Sequence, residues 1–392
     1  GNMKLLFIHD HPFYQEYDKI YSGGGLPSKV WLNYLKYFSE VHVFARRSRN
    51  TKDKKVNSSL DDNSVVFKLT ESYSSTLDLL LNFRSLCKEI HMQIEKADVV
   101  LVRLPSVLSF IAGYVCIKIK KPFIVEQVGN AKEAMVTHGS FKGKIVSLIF
   151  EYINKWIVSK ANYVSYVTQN KLQKDYPTMG ISASISDVVL KKTFEKSDVA
   201  KERFLQPRVK VGLIGGFDAR YKGQDILLRA VSLLDKSIKS QIDLYFVGKG
   251  DFTWLIDLAD KLELTSSIKY IGPKESGKEI FDFLSTLSLY VQPSLTEGMP
   301  RALLEAMSVG CPVMGSKVGG IPDIVDHEFL HRAKDFKKLS EQIGRVISDR
   351  ELLYQQSFRS IEIIKAFQKE RLDEKRDKFY NTILQNLNLK LV

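Results

Sequence analysis

Two glutamates flank a glycine–proline turn late in the chain. Glu297 directly precedes Gly298-Met299-Pro300, and Glu305 lies within the helix that the sequence predicts from about Pro300. Proline is favourable at the first helical position, and the free N–H groups of a helix start attract anions. This spacing would let two carboxylates accept hydrogen bonds from two sets of sugar hydroxyls, with a diphosphate between them. The structural alternative is a carboxylate at a helix N-terminus followed by an exposed helix residue.

A second loop combines glycines with cations. Gly216, Arg220 and Lys222 follow the predicted strand Val209–Ile214, and Gly223 comes directly after Lys222. Two cations in a glycine-rich turn suit a diphosphate leaving group, because negative charge develops there as a glycosidic bond breaks. For Arg220 a solvated loop charge is the alternative.

Two more loops follow predicted strands of the same half. Gly248 lies in a Gly-x-Gly turn after Leu244–Val247, a spacing that is also typical of an ordinary strand-to-helix turn. Pro273 and Lys274 follow the strand Ile268–Ile271. In open α/β sheets, ligands bind outside the carboxyl ends of strands, so both loops are candidates for donor binding.

Consecutive glycines, the last two being Gly24 and Gly25, precede the predicted helix Ser28–Phe38. Their unhindered N–H groups favour a phosphate-facing site, and a flexible turn is the alternative. A dinucleotide-binding fingerprint does not fit, because the glycines are consecutive and lie well past the first predicted strand, Leu5–His9. The pattern therefore disfavours an NAD-dependent dehydrogenase.

These loops belong to two successive runs of alternating strands and helices. Short apolar segments alternate with longer segments of helical periodicity, the pattern of a doubly wound parallel sheet. We predict an α/β protein with a first Rossmann-like domain over residues 1–190, a linker over 191–208, and a second domain over 209–369, with a C-terminal helix of about 370–392 packing back on the first domain. The predicted strands are Leu5–His9, Val41–Phe44, Val65–Leu69, Val99–Arg103, Phe123–Gln127 and Tyr163–Val167, then Val209–Ile214, Leu244–Val247, Ile268–Ile271, Leu289–Gln292 and Val313–Gly315.

The segment E-G-x-P-x-x-x-L-E-A, with Gly310-Cys311-Pro312-Val313 and Gly319-Gly320-Ile321-Pro322-Asp323 after it, resembles the donor-binding region of retaining glycosyltransferases of family 4. The resemblance is strongest over 209–325 and implies the GT-B fold, in which two Rossmann-like domains face each other across a cleft. The first half of the chain matches only in architecture and in its glycine-rich loop.

The resemblance implies roles for the donor-side residues. Glu305 would bind the ribose hydroxyls, and Glu297 would contact the transferred sugar. Backbone amides around Met299–Pro300–Arg301 would approach sugar or phosphate, and the loop of Pro273 and Lys274 would lie near the base. The family usually has an arginine where Gly216 stands here, so Arg220 is a candidate replacement.

The acceptor side offers fewer residues. Members of the family often carry a histidine after the strand that corresponds to Phe123–Gln127, and this sequence has none there. Glu126, Gln127 and Asn130 are candidates for acceptor contacts, and His138 is a candidate catalytic group. Near the first strand His9 and His11 are further candidates.

Bulk properties narrow the remaining choices. The net charge of +13 favours anionic partners, yet no nucleic-acid-binding motif is present and we expect no nucleic acid partner. The chain contains no Asp-x-Asp, and no His/Cys/Asp cluster has metal-ligand spacing, so we expect a metal-independent enzyme without a cofactor. The three scattered cysteines and the lack of a secretory signal favour the cytoplasm. These cysteines are Cys87, Cys116 and Cys311.

Residues 141–160 combine apolar side chains with lysines and a tryptophan. With Lys118, Lys120 and Lys121 they are compatible with peripheral docking on an anionic membrane, which would place the protein at the inner face of the cell membrane. A core helix with lysines at its ends is the favoured alternative.

The sequence thus predicts a retaining glycosyltransferase that moves a sugar from a UDP- or GDP-sugar to a glycan or lipid-linked acceptor, in cell-surface polysaccharide synthesis. Leaving-group charge would be met by Lys222 and Arg220. A nucleotide-sugar epimerase or a phosphorylase on the same fold, and a non-catalytic basic binding module, are the alternatives.

Overall fold

The computed structural model describes residues 2–73, 75–132, 141–190, 193–274 and 277–390. Its strands form two sheets, one in each half of the chain. In the first half they are β1 (Lys4–Glu16), β2 (Lys19–Ser22), β3 (Glu40–Ser48), β4 (Val56–Asn57), β5 (Val65–Leu69), β6 (Val99–Leu104), β7 (Phe123–Gln127), β8 (Tyr163–Tyr166) and β9 (Ile181–Ser184). In the second half they are β10 (Val209–Ile214), β11 (Ile242–Val247), β12 (Ile268–Ile271), β13 (Leu289–Gln292), β14 (Val313–Ser316) and β15 (Leu330–His331).

Helices connect these strands in both halves. Shorter 3₁₀ turns lie at Thr51–Asp53, Lys196–Asp198, Lys201–Phe204, Arg220–Lys222, Thr265–Ser267, His327–Phe329 and Lys365–Phe367. The helices are α1 (Ser28–Leu35), α2 (Thr76–Leu81), α3 (Phe83–Lys96), α4 (Val107–Ile119), α5 (Phe141–Lys160), α6 (Lys171–Asp175), α7 (Gln224–Ser232), α8 (Lys236–Lys239), α9 (Thr253–Lys261), α10 (Lys278–Ser285), α11 (Arg301–Ser308), α12 (Ile321–Ile324), α13 (Phe336–Ser348), α14 (Arg350–Ile364) and α15 (Lys369–Lys390).

The first sheet is built around β1, which pairs in parallel with β3 and β6, so that the parallel strands run in the order β5-β3-β1-β6-β7-β8-β9. Leu5–Ile8 is completely apolar and fully buried, as a central parallel strand requires. The sequence predicted that β1 ends at His9, but it continues to Glu16 after a bulge between Ile8 and Pro12. Past the bulge, β1 pairs with the antiparallel strand β2.

The second sheet is parallel throughout, in the order β12-β11-β10-β13-β14-β15. Its order reverses next to β10, which pairs with both β11 and β13. Ligand crevices form at such a switch point, at the carboxyl ends of the strands. The predicted pair of doubly wound parallel sheets is therefore confirmed.

The segment before β10 packs against the second domain. Phe204 is fully buried, and the Arg203 guanidinium donates hydrogen bonds to the carbonyls of Leu284, Leu287 and Val309. The segment is polar in sequence because its arginine caps carbonyls at the ends of neighbouring elements.

The last helix, α15, returns to the first domain. Tyr380 of α15 stacks on Tyr37 with ring centroids 4.9 Å apart, and the Tyr37 hydroxyl donates to Asp377. Asp377 also pairs with Lys36 at 2.8 Å. Both chain ends therefore contribute to one domain.

Candidate functional site

The two domains meet at the turn that contains Gly298. A Cβ atom on Gly298 would lie 2.5 Å from the carbonyl oxygen of Val128, which follows β7 in the first domain. Only glycine allows this close backbone approach. Close by, the Asp323 carboxylate of the second domain accepts hydrogen bonds from the backbone N–H groups of Gln169 (2.9 Å) and Asn170 (3.2 Å) in the first. The predicted donor-side segment thus lies at the domain boundary.

Lys222 and Glu297, both predicted site residues, form an ion pair. The Lys222 Nζ atom is 2.7 Å from Glu297 Oε1, and the Glu297 side chain is only 8% exposed. The same oxygen accepts hydrogen bonds from Ser294 Oγ at 2.8 Å and Gln292 Nε2 at 3.2 Å. Three donors on one oxygen fix the orientation of the carboxylate at the end of β13.

Glycines position the Lys222 side chain. A Cβ on Gly215 would lie 2.8 Å from Lys222 Cγ, so the lysine crosses directly over that glycine. Gly223 has φ +79° and packs on the carbonyl of Pro293, where a side chain would clash. The N–H of Leu295 donates to the Tyr221 carbonyl at 2.7 Å, which ties the cation-bearing loop to the loop of Glu297.

Arg220 lies on the same loop but is turned away from this ion pair. Its guanidinium stacks over the indole of Trp254 on α9, 4.4 Å from the ring centroid, and it is exposed to solvent. Trp254 is itself held by a hydrogen bond from Nε1 to the Phe217 carbonyl at 3.0 Å. The structure therefore places Arg220 at the rim of the site and Lys222 inside it.

Glu305 lies on α11, one turn beyond Arg301, and is 9% exposed. Burial raises the pKa of Glu305, and the charge of the exposed Arg301 partly opposes this shift. The structural alternative of an exposed helix residue is therefore wrong for Glu305. A carboxylate kept in a buried position at a sheet edge is a functional-site candidate.

The helix start differs by one residue from the prediction. Pro300 is the N-cap, and α11 begins at Arg301. Met299 is buried, and its Sγ atom would lie 3.1 Å from a Cβ on Gly320. The N–H of Gly320 donates to the Gly298 carbonyl at 2.7 Å, so the two glycine-containing turns support each other.

The two glycine-rich loops after β10 and β11 lie side by side. Gly248 packs against the carbonyl of Gly215, and a Cβ on Gly216 would lie 3.7 Å from the Lys249 carbonyl. Lys249 also lies against Lys55 of the first domain, and its amine lowers the pKa of Lys55. Gly216 and Gly248 thus border a basic region that both domains supply.

The loop of Pro273 and Lys274 contacts the start of the following helix. Lys274 Nζ is 3.7 Å from Glu279 Oε1, and 5.7 Å from the ring centroid of Phe283 on α10. Pro273 is exposed. His138 lies outside the described residues.

In the first domain, Gly24 and Gly25 are exposed and precede α1. A Cβ on Gly25 would lie 3.2 Å from His11 Cε1, whereas one on Gly24 would meet nothing within 4 Å. His11 Nε2 is 2.7 Å from Ser22 Oγ, which donates to the Gly25 carbonyl. The glycine loop is therefore held against the end of β1.

Glu126 is the centre of a buried polar cluster. Its two oxygens accept from the Tyr34 hydroxyl at 3.0 and 2.8 Å, and Arg103 NH1 is 3.4 Å from Oε2. Arg103 NH2 is 3.8 Å from Asp187 Oδ2. Sequence reasoning missed Tyr34, Arg103 and Asp187. Arg103 was detectable as a cation that ends an otherwise apolar strand.

Gln127 and Asn130 have internal partners. The fully buried Gln127 exchanges two amide hydrogen bonds with Asn154 on α5, at 3.0 and 2.9 Å, and donates to the Gly129 carbonyl. Asn130 Nδ2 donates to Asp175 Oδ2 at 2.9 Å. In this structure both side chains support the loop after β7, and Glu126 lies closer to the polar cluster.

His9 and His11 are both neutral at physiological pH. Burial and the nearby Arg103 lower the pKa of His9 well below its usual value, and lower that of His11 to about 4. His9 Nδ1 accepts the N–H of His11 at 3.0 Å, so the proton of the His9 ring is on Nε2. In the part of the chain that is described, no three His, Cys, Asp or Glu side chains are grouped to hold a metal ion.

Solved structures share this arrangement of two sheets. Sucrose-phosphate synthase from Thermosynechococcus elongatus superposes with a TM-score of 0.66 at 15% identity, over 98% of this chain and 100% of that chain. HepE from Anabaena in complex with UDP superposes with a TM-score of 0.63 at 15% identity, over 98% of this chain and 100% of that chain. These likenesses confirm the predicted GT-B fold.

Sequence comparisons define the family. The model of the family "Glycosyl transferases group 1" matches residues 198–360. Protein CapJ of Staphylococcus aureus is 34% identical over 378 residues, which cover 96% of this chain and 94% of CapJ. N-acetyl-alpha-D-glucosaminyl L-malate synthase of Bacillus anthracis is 26% identical over 156 residues, 38% of this chain and 40% of that protein. The chain belongs to the glycosyl transferases group 1, and the prediction that it is a glycosyltransferase is confirmed; its placement in family 4 stays a prediction.

Proposed function

We propose that this glycosyltransferase moves a sugar from a UDP- or GDP-sugar to a glycan or lipid-linked acceptor, with retention at the anomeric carbon. The observation that carries the proposal is the Lys222–Glu297 ion pair at the carboxyl edge of the second sheet, close to the switch point. The names of two similar proteins support it: HepE was solved with UDP and with UDP-glucose, and CapJ is the relative that spans the whole chain.

Lys222 is proposed to stabilise the leaving diphosphate. As the bond between the anomeric carbon and the diphosphate oxygen breaks, its electron pair goes to that oxygen, and a nearby ammonium stabilises the charge. The Lys222 ammonium has three donors, of which Glu297 takes one, so it can also donate to a phosphate oxygen. Glu297 then has its second oxygen for a hydroxyl of the transferred sugar, and Glu305 accepts from the ribose hydroxyls.

The acceptor hydroxyl is proposed to attack from the same face as the leaving group. Its oxygen bonds to the anomeric carbon, and its proton passes to the departing diphosphate oxygen. This front-face route needs a close approach of the two domains, which the contact of Gly298 with Val128 provides. Because Lys222 and Arg220 supply positive charge, we further propose that no metal is required. Full activity after EDTA treatment is expected, and loss restored by a divalent cation would contradict it.

Nucleotide binding tests the donor side directly. Thermal unfolding of the full chain with UDP, GDP and ADP should show a selective rise in Tm with UDP or GDP. Glu305→Ala should abolish this rise, whereas Glu341→Ala, at an exposed glutamate of α13, should preserve it. The proposal fails if no nucleotide stabilises the protein or if both variants respond alike. Product formation without acceptor would instead indicate an epimerase, and a requirement for inorganic phosphate would indicate a phosphorylase.

A further inference from the structure

One face of α5 exposes apolar side chains to solvent at helical spacing. Ile145, Leu148, Ile149 and Tyr152 are 47%, 56%, 52% and 73% exposed, and they fall on a single stripe of the helix. The opposite face is also apolar and is buried: Ile157 packs against Gly113 of α4. The favoured sequence interpretation, a core helix with terminal lysines, explains only this inner face.

A second exposed apolar group lies beyond α4. It consists of Leu77, Leu80 and Leu81 of α2 with Phe83 at the start of α3. Helix α4 packs against both α2 and α5, so the two groups share one side of the first sheet. Exposed apolar surface concentrated in this way marks an interaction site.

The charges around the α5 stripe are positive. Lys144 and Lys155 are exposed on α5, and Lys118 is exposed near the end of the adjacent α4. The acidic residue among them, Glu151, points inward, where it accepts the Tyr176 hydroxyl at 2.6 Å and the Lys132 N–H at 3.2 Å. An apolar stripe flanked by lysines is complementary to an anionic lipid surface, where acyl chains take the apolar side chains and headgroups take the cations.

We propose that this face of the first domain docks on an anionic membrane, with α5 lying in the plane of the interface. No described helix is long and apolar enough to cross a membrane, so the contact is peripheral. Charge also favours a bilayer over a second copy of the chain, since a two-fold contact through the stripe would bring like lysines together.

Docking would orient the site toward the lipid. The stripe occupies the first half of α5, and helices of this sheet begin at its carboxyl edge, which is the edge that faces the second domain. If the acceptor is lipid-linked, which rests on the proposed function, its reactive hydroxyl would reach the cleft while its lipid stays in the bilayer. Membrane binding itself is independent of sugar transfer.

The test is vesicle co-sedimentation of the full chain without donor or acceptor. We expect binding to phosphatidylglycerol vesicles that weakens as salt is raised, and little binding to phosphatidylcholine. The double variant Leu148→Gln/Ile149→Gln should bind on the order of tenfold more weakly, because two anchoring side chains are lost. The control Leu205→Gln/Leu233→Gln, at two leucines that are each 53% exposed in the second half of the chain, should bind like the wild type.

Three results would overturn the proposal. The first is the absence of binding to anionic vesicles, and the second is equal loss in the control. The third is a wild-type dimer in light scattering that Leu148→Gln/Ile149→Gln dissociates while vesicle binding is unchanged, since that would make the stripe a subunit interface. UDP-induced stabilisation measured on the same variants separates this outcome from failure of the proposed donor site.

Discussion

At the scale of single residues, the site depends on charges that compensate each other. Lys222 and Glu297 are distant in sequence, yet they share an ion pair in a partly buried position. Removing one partner of such a pair leaves the other without compensation, and this costs more than the interaction itself contributes. The pair therefore links the stability of the second domain to its chemistry.

Lys222→Ala is expected to lower kcat by about a hundredfold or more, since a donor to the developing charge is lost. It should also lower the free energy of unfolding by roughly 1–3 kcal/mol, because the Glu297 carboxylate loses its cation. The double variant Lys222→Ala/Glu297→Gln should recover part of that stability and none of the activity. Urea unfolding and kinetics on the four proteins measure this, and additive stability changes would contradict the coupling.

Glu305 is expected to reduce stability at neutral pH. Burial raises its pKa in the folded state above the model value of 4.5, so the folded state binds the proton more tightly than the unfolded state. Its ionisation therefore costs stability, and this cost develops as pH rises from about 4.5 through the folded-state pKa.

Glu305→Gln should consequently be more stable than the wild type at pH 7.5, and the difference should vanish at acid pH. Urea unfolding at both pH values is the measurement. Glu341→Gln, at an exposed glutamate, should show no such pH-dependent difference. A variant that is less stable at pH 7.5, or a difference that persists unchanged at acid pH, would contradict this account.

At the scale of elements, the sequence predicted most strands of the second sheet with correct ends. Val209–Ile214, Ile268–Ile271 and Leu289–Gln292 agree residue for residue, because each is a short apolar run with polar neighbours. Strand β9 and the continuation of β1 past its bulge were missed, since neither has an uninterrupted apolar pattern. The predicted helix Ser75–Lys96 is two helices that meet at Asn82.

The same limit explains which site residues were found. The loops of Lys222 and Glu297 follow apolar strands, and the carboxyl ends of parallel strands meet at one edge, so their proximity was predictable. Tyr34 reaches Glu126 from a helix 92 residues earlier, and Gln127 pairs with Asn154 on another helix. Such contacts depend on how helices pack on a sheet, which local patterns do not specify.

Gly298→Ala should disturb the joint between the loops of β7 and β13. A methyl group there would lie 2.5 Å from the Val128 carbonyl, a backbone atom that cannot move aside as a side chain would. We expect nucleotide affinity within about twofold of the wild type and kcat lower by about tenfold or more, because closure is prevented. Gly272→Ala, where a Cβ meets nothing within 4 Å, is the control. Wild-type kcat in Gly298→Ala would exclude the close approach during turnover.

At the scale of the whole molecule, the two domains are connected by few polar contacts. Asp323 supplies two of them, to Gln169 and Asn170, and both come from the turn that precedes α6. Its side chain belongs to the second domain but neutralises N–H groups of the first. The aspartate is therefore well placed to stabilise the closed arrangement of the domains.

Asp323→Ala should shift the molecule toward more open arrangements. Hydrogen bonds to a charged group contribute about 1.5–3 kcal/mol, so the ratio of closed to open forms should fall by roughly tenfold to a hundredfold. The radius of gyration in small-angle scattering should rise and kcat/KM should fall, while UDP affinity should be kept, because the proposed nucleotide contacts lie in the second domain. Asp326→Ala is the matched control, since Asp326 pairs with Arg359 of the same domain at 3.3 Å. An unchanged radius of gyration and unchanged kcat/KM in Asp323→Ala would mean that closure is stabilised elsewhere, and the packing of Gly298 on Val128 would then be the contact to vary next.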